Sequence, residues 1–186
     1  VYVLGDILGL YGFSRDVVEL LQELPVEVCL QGNHDVALIS YGEGHVNSAE
    51  LSRFELETTT DQLTQVQQQW IKDRPVMAIE EIDTGPVTRT VLLAHAKPSY
   101  EEASGYTMGN RGIPKREYPT VASAHSGTYD NIFLGHTHQQ AFVDCSKWDH
   151  DIQIMNPGTV GSNLGTAEYA LYDEQTDTVT HNTVTY

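Results

Sequence analysis

Cysteine is almost missing: Cys29 and Cys145 are the only two in 186 residues. That is too few for a disulfide framework and points to a reducing, cytoplasmic setting. Basic residues are scarce as well, ten Lys and Arg against 26 Asp and Glu, for a formal net charge of −16. A chain so poor in cations is not built to coat nucleic acid or anionic lipid, which require clustered Lys and Arg. No apolar run approaches the roughly 18 to 20 residues that span a bilayer, so no membrane partner is expected. At molar salt, where the Debye length is about 3 Å, the self-repulsion of such a surface would be screened. A halophilic setting and ordinary acidic solubility both stay open. An initiator Met is absent too, and Val1 already lies inside an apolar run, so further chain is expected to precede it.

What is present suits a globular protein: 40% hydrophobic and 19% charged residues, with no repeat and no linker, read as one domain over residues 1–186. Val1–Leu4 reads as a buried strand. Ser14 is placed to cap a helix whose apolar face would be Val17, Leu20, Leu21 and Leu24, ending before Pro25. Val26–Leu30 is a second strand, parallel to the first in a strand–helix–strand unit. Asn47 with Glu50 predicts a capped helix to about Asp61, and Thr64 with Gln67 a shorter one through Ile71. Val76–Glu80 and Val87–Ala94 read as strands. Residues 97–119, rich in Gly, Pro, Ser and Tyr, read as a long loop. A helix over Thr120–Ser126 follows. Asn131–Leu134, Gln140–Cys145, Ile152–Met155, Glu168–Tyr172 and Thr178–Thr185 complete a β-rich second half.

Four polar clusters each follow a strand directly: Gly5-Asp6, Gly32-Asn33-His34-Asp35, Ala94-His95 and Gly135-His136-Thr137-His138. Strand ends of α/β sheets are where ligands bind, so clusters distant in sequence converge on one rim. These clusters hold two carboxylates, one amide and four imidazoles, and one carboxylate, one amide oxygen and three imidazoles drawn from them make a mixed oxygen and nitrogen set. It suits Mn, Fe, Zn or Ni better than Ca or Mg. A carboxylate such as Asp6 can bridge two ions about 3.5 to 4 Å apart, the clamp used in phosphoryl transfer.

The ordered motifs GD, GNHD, H and GHTH, with Asn156-Pro157-Gly158-Thr159-Val160-Gly161 after them, resemble the calcineurin-like metallophosphoesterases, in particular their small bacterial and archaeal phosphodiesterase-like branch. The resemblance implies an α/β fold, a β-sandwich of two mixed sheets flanked by helices. It implies two divalent ions, Mn foremost with Fe, Zn and Ni as alternatives, and Asp6 as their bridge. Asn33, His95 and His136 resemble the remaining ligands of one ion, and His138 a ligand of the other. His34 resembles the general acid facing the leaving group, with Asp35 orienting it and raising its pKa. The implied activity is phosphoester hydrolysis by a metal-activated hydroxide, on phosphodiesters before monoesters, with a small-molecule substrate. A homo-oligomer is compatible with it. A dinucleoside-polyphosphate or phosphoprotein hydrolase, and a non-catalytic scaffold on the same fold, are the competing readings.

The family opens on a strand ending in Asp-x-His, which this sequence does not contain, so the second ion is expected to bind weakly in the fragment as given. Arginine or proline often follows the family's Asn-Pro-Gly turn, and Ser162-Asn163-Leu164 stands here instead. Arg111, Lys115 and Arg116, three of the ten basic residues, are candidates to draw in a phosphate, as is His45. Exposed loop charges are the competing reading. The Asn156-Pro157-Gly158 turn is read either as a simple turn or as a backbone wall of the site. His125, His150 and His181 read as surface or internally bonded histidines.

Overall fold

The structure, a computed structural model, describes residues 1–9, 12–45, 55–101, 105–108, 112–163 and 165–186. The chain begins with the expected unit: strand β1 (Tyr2–Val3), helix α1 (Ser14–Glu23), then strand β2 (Val28–Cys29) parallel to β1. Helix α1 is turned from its expected face. Val18 is fully buried while Leu20 and Leu24 stay 54% and 42% exposed. Ser14 is the cause, being the first helical residue rather than the cap; it is buried, and its N–H donates to Gln62 Oε1 at 3.2 Å. A side chain that small lets the helix approach its neighbours along the Ser14–Val18 edge.

Helix α2 (Asn33–Gly42) starts on the GNHD motif, where only a strand end was expected. Its run Val36-Ala37-Leu38-Ile39 carries no helical contrast, which is why periodicity misses it. Helix α3 (Leu56–Gln62) lies within the helix expected from Asn47, whose Asn47 and Glu50 start falls outside the described residues. Helix α4 (Gln65–Lys72) has the expected capping box. Thr64 N–H donates to Gln67 Oε1 at 2.9 Å, and Gln67 N–H to Thr64 Oγ1 at 3.2 Å. The four helices share one apolar core around Val18, Leu38, Leu56 and Ile71.

Strands β3 (Met77–Asp83) and β4 (Thr88–Ala94) form an antiparallel pair. The stretch expected as a long loop instead contains a hairpin, β5 (Pro98–Glu101) with β6 (Gly105–Met108), and a 3-10 turn at Lys115–Glu117. The segments Pro98–Glu101 and Gly105–Met108 lack the unbroken apolar run that marks a strand such as Asn131–Leu134, so only pairing reveals them. Helix α5 (Tyr118–His125) precedes β7 (Asn131–Leu134), β8 (Ala141–Asp144) and β9 (Gln153–Asn156). The chain closes with the antiparallel pair β10 (Thr166–Asp173) and β11 (Thr178–Thr185).

The central sheet runs β3-β4-β7-β9-β8, with β4, β7 and β9 parallel and both edges antiparallel. Burial on both faces explains the unbroken apolar runs Val91–Ala94 and Ile132–Leu134. Leu92, Ile132, Leu134 and Ile154 face α5 through Tyr118, Val121 and Ala122. Val91, Leu93, Phe133 and Met155 face Leu30 of the first unit and Ala170, Tyr172 and Val179 of the last pair. The sandwich is therefore present, with its second layer in two separate two-stranded pieces.

Candidate metal centre

The end of β1 is a tight turn. Gly5 (φ 91°) and Asp6 (φ 56°) are both left-handed, and a Cβ on Gly5 would stand 2.6 Å from Gly32 N and 2.8 Å from His95 Nδ1. The segment after β1 thus lies directly on the segment after β2. Gly32 completes the contact: a Cβ there would be 2.7 Å from Asp6 Cγ, with Asp6 Oδ1 and N closer still. Asp6 Oδ1 accepts the His34 N–H at 3.0 Å at the start of α2, where the helix dipole favours a carboxylate.

Four electron-pair donors meet here. His95 Nε2 lies 3.2 Å from Asp6 Oδ2, 3.2 Å from Asn33 Oδ1 and 3.1 Å from His136 Nδ1. His95 is buried at the end of β4, and its Nδ1 sits 2.6 Å from the Leu4 carbonyl oxygen. A carbonyl only accepts, so Nδ1 carries the proton and a neutral ring presents a lone pair at Nε2. Carboxylate, amide and imidazole lone pairs turned on one spot repel one another unless a cation stands among them. Asp6, His95 and His136 also have ligand atoms within 4.8 Å of one another. The donor set and its placement therefore fit a divalent transition-metal ion.

Burial alone would raise the Asp6 carboxyl and lower the His95 ring. A second proton taken up at His95 Nε2 would bond Asp6, and that bond with the pair's mutual charge outweighs burial, holding Asp6 below the usual range and His95 above it. Burial prevails at His136, and the charge of His95 adds to it, so that ring stays below its ordinary value.

His138 does not join this cluster; its Nδ1 lies 3.0 Å from Ser162 Oγ. His136 (φ 66°) and His138 (φ 55°) are both left-handed, so the turn sends the two rings to different neighbours. His34 stands beside the cluster, Nε2 3.8 Å from Asp6 Oδ2. Its pKa was expected to be raised by Asp35. The net shift is downward, because burial outweighs the attraction of Asp6. Asp35, fully buried, accepts backbone N–H groups from Gly32 (2.7 Å), Ile7 (3.1 Å) and Leu8 (3.2 Å). It thus fastens the start of the helix that carries His34, and holds the loop after Asp6 at the same time. Burial pushes its carboxyl up to about 7 against those donors.

Lys115 and Arg116 lie exposed in the 3-10 turn, where Arg116 pairs with Glu117 at 3.8 Å. His45 is exposed just past α2, and Arg111 falls outside the described residues. Among the described residues, His45 is not part of the donor cluster. Gly112 does touch it: a Cβ there would meet His136 Cδ2 at 2.5 Å. Sequence reasoning placed Gly5 and Gly32 in the polar clusters without the close approach they allow, and did not single out Gly112 or the Leu4 carbonyl. Only the adjacency of Gly5 and Gly32 to ligands hinted at that approach.

No curated protein matches the chain. Two solved structures share the fold. One is a hypothetical protein from Pyrococcus horikoshii OT3, at 17% identity and TM-score 0.73, matched over 100% of this chain and 74% of that one. The other is a metallophosphoesterase from Sphaerobacter thermophilus, at 24% identity and TM-score 0.71, over 100% and 77%. The calcineurin-like phosphoesterase superfamily domain matches residues 1–177. Nearly the whole chain is that domain, and its strand ends gather a metal-type donor set: the chain belongs to the calcineurin-like phosphoesterase superfamily, a family of metal-dependent phosphoester hydrolases.

Proposed function

We propose that the protein is a phosphodiesterase that works with a pair of divalent cations, manganese foremost, on a small-molecule substrate. The observation that carries this reading is the convergence of Asp6 Oδ2, Asn33 Oδ1 and His136 Nδ1 on His95 Nε2 at 3.1–3.2 Å. Asp6, Asn33, His95 and His136 would hold one ion, and Asp6 with His138 would contribute to the second. Bound cations supply charge neutralisation at the phosphoryl oxygens and a more acidic water.

The residues around them supply the rest. One carboxylate among neutral imidazoles leaves a divalent site net positive, so an anionic ester is drawn in without Lys or Arg. That agrees with a surface of net charge −16. His34 Nε2, 3.8 Å from Asp6 Oδ2 and outside the donor cluster, would pass a proton to the departing alkoxide. A ring whose pKa is depressed by burial gives up that proton more readily. A diester has only one ionisable oxygen at phosphorus, so its leaving group depends on such a donor.

The test is metal analysis together with a hydrolysis panel of bis(p-nitrophenyl) phosphate, p-nitrophenyl phosphate and cyclic nucleotides. Manganese binding with faster turnover of the diester is expected. A protein that binds no manganese, or that prefers the monoester, would overturn the reading.

A further inference from the structure

We propose that the segment from Asn156 to Ser162 is the positioning strap of the metal centre. Asn156 holds the Gly135–Thr137 turn, and Ser162 sets the ring of His138 so that Nε2 is the nitrogen offered to a cation. This rests on reading the site as a metal centre.

The turn needs an external hold. His136 and His138 both sit in the left-handed region, at φ 66° and 55°. Non-glycine residues persist there only when their surroundings over-determine them. Asn156 closes β9, which runs parallel beside β7, so its side chain reaches the turn that follows β7. It is fully buried. Its Nδ2 donates to the Gly135 carbonyl at 2.6 Å and to Thr137 Oγ1 at 3.2 Å. Its Oδ1 accepts the Gly158 N–H at 3.0 Å. Every polar atom of the amide is thus engaged, joining the two halves of the site.

The strap is itself anchored from the last strand pair. His181 Nε2 lies 2.8 Å from the Asn156 carbonyl, and Glu168 Oε2 accepts the Thr159 N–H at 3.3 Å. Gly158 (φ 92°) leaves room for Glu168, whose Cβ would be 2.7 Å from any Cβ at 158. Ser162 is then placed by its own N–H donating to Thr159 Oγ1 at 3.1 Å. That brings Ser162 Oγ to 3.0 Å from His138 Nδ1.

The partner of one ring nitrogen decides which nitrogen keeps its lone pair. At His95 a carbonyl holds the Nδ1 proton and leaves Nε2 for the cluster. The Ser162 hydroxyl, which unlike a carbonyl can also donate, takes the acceptor role toward His138 in this proposal, receiving Nδ1–H and leaving Nε2 bare. Ser162 and Asn156 are therefore positioning residues, acting on the site through His138 and through the turn.

Ring nitrogen shifts of His138, read by long-range ¹H–¹⁵N NMR on the metal-free protein at mildly alkaline pH, test the tautomer without any turnover. The Nδ1–H form is expected in the parent protein, and a mixture in Ser162→Ala. Manganese titration by calorimetry should then show roughly 10–100-fold weaker binding in Ser162→Ala, the usual effect of losing an outer partner of a metal ligand. Ser162→Thr, which keeps the hydroxyl, should restore it. Asn156→Asp should weaken binding as well, and if that variant fails to fold, Ser162→Ala decides. An Nε2–H tautomer in the parent, or parental manganese affinity in Ser162→Ala, would overturn the strap. Failure of the parent to bind manganese would instead overturn the metal-centre reading.

Discussion

Replacing Gly32 with alanine isolates the contact on which the centre depends. At φ −98° and ψ −177° the residue lies in extended backbone that alanine adopts freely, so the substitution carries no conformational strain. Its whole cost is overlap. A Cβ would stand 2.7 Å from Asp6 Cγ, against at least 3.4 Å for ordinary contact, so the carboxyl carbon must retreat by about 0.7 Å. Asp6 Oδ1 and N, which are nearer, must move further. Neither can yield cheaply, since Oδ1 accepts from His34 N and the backbone after Asp6 is tied to Asp35. Overpacking of this kind costs roughly 1–3 kcal/mol. For a domain of this size that is a fall of about 2–12 °C in melting temperature. Displacement of a ligand by nearly 1 Å should also cost on the order of 100-fold in turnover. Differential scanning calorimetry, manganese titration and diester hydrolysis on Gly32→Ala measure all three. Parental melting together with parental manganese affinity would refute the claim that Gly32 makes room for Asp6.

Asp35→Ala should leave the N–H groups of Gly32, Ile7 and Leu8 without their acceptor. At about 1 kcal/mol or more each the loss is about 3 kcal/mol, or roughly 6–12 °C in melting temperature; a fall below 2 °C would count against the clamp. His34→Ala should cut diester turnover sharply, by roughly 100-fold or more for a lost proton donor, with manganese content unchanged. Collapse of metal content in that variant would move His34 into the ligand set. Manganese at about one hundred times its dissociation constant should add about 2.7 kcal/mol to stability, and chelation should reverse it; a flat thermal-shift titration would contradict the site. Raising KCl from about 0.1 M to 1 M shortens the Debye length from about 10 Å to 3 Å. The melting temperature should therefore rise if repulsion among the 26 acidic side chains weakens the fold, and stay constant if it does not.

Several elements were readable because a local rule governed them. The Thr64–Gln67 box caps α4 through bonds three residues apart. Asn131–Leu134 and Thr178–Thr185 were read with the bounds the structure has. Asp6, Asn33, His95 and His136, which the fold brings together, could be picked out because each followed a strand run, whereas His138, chosen on the same ground, lies outside their cluster. Helix α2 was not readable, since burial of Ala37 and Leu38 erases the contrast that marks a helix. Its one local signal was Asp35 three residues after Gly32, accepting the Gly32 N–H. The face of α1 was misjudged for a related reason: a count of large apolar residues gives no weight to Ser14, whose small size lets the helix pack closely.

The order of residue types along the chain alone determined which atoms could bind a metal and that strand ends would carry them, because side-chain chemistry and strand periodicity are local properties. Which nitrogen of each histidine faces the site, and which glycines make room for Asp6, depended on contacts between segments up to 91 residues apart, such as Leu4 with His95. The same holds for Asn156 and Ser162, which act on a turn some twenty residues earlier in the chain. Only packing brings such partners within hydrogen-bond reach, and no local pattern records a bond that exists only once the sheet has formed.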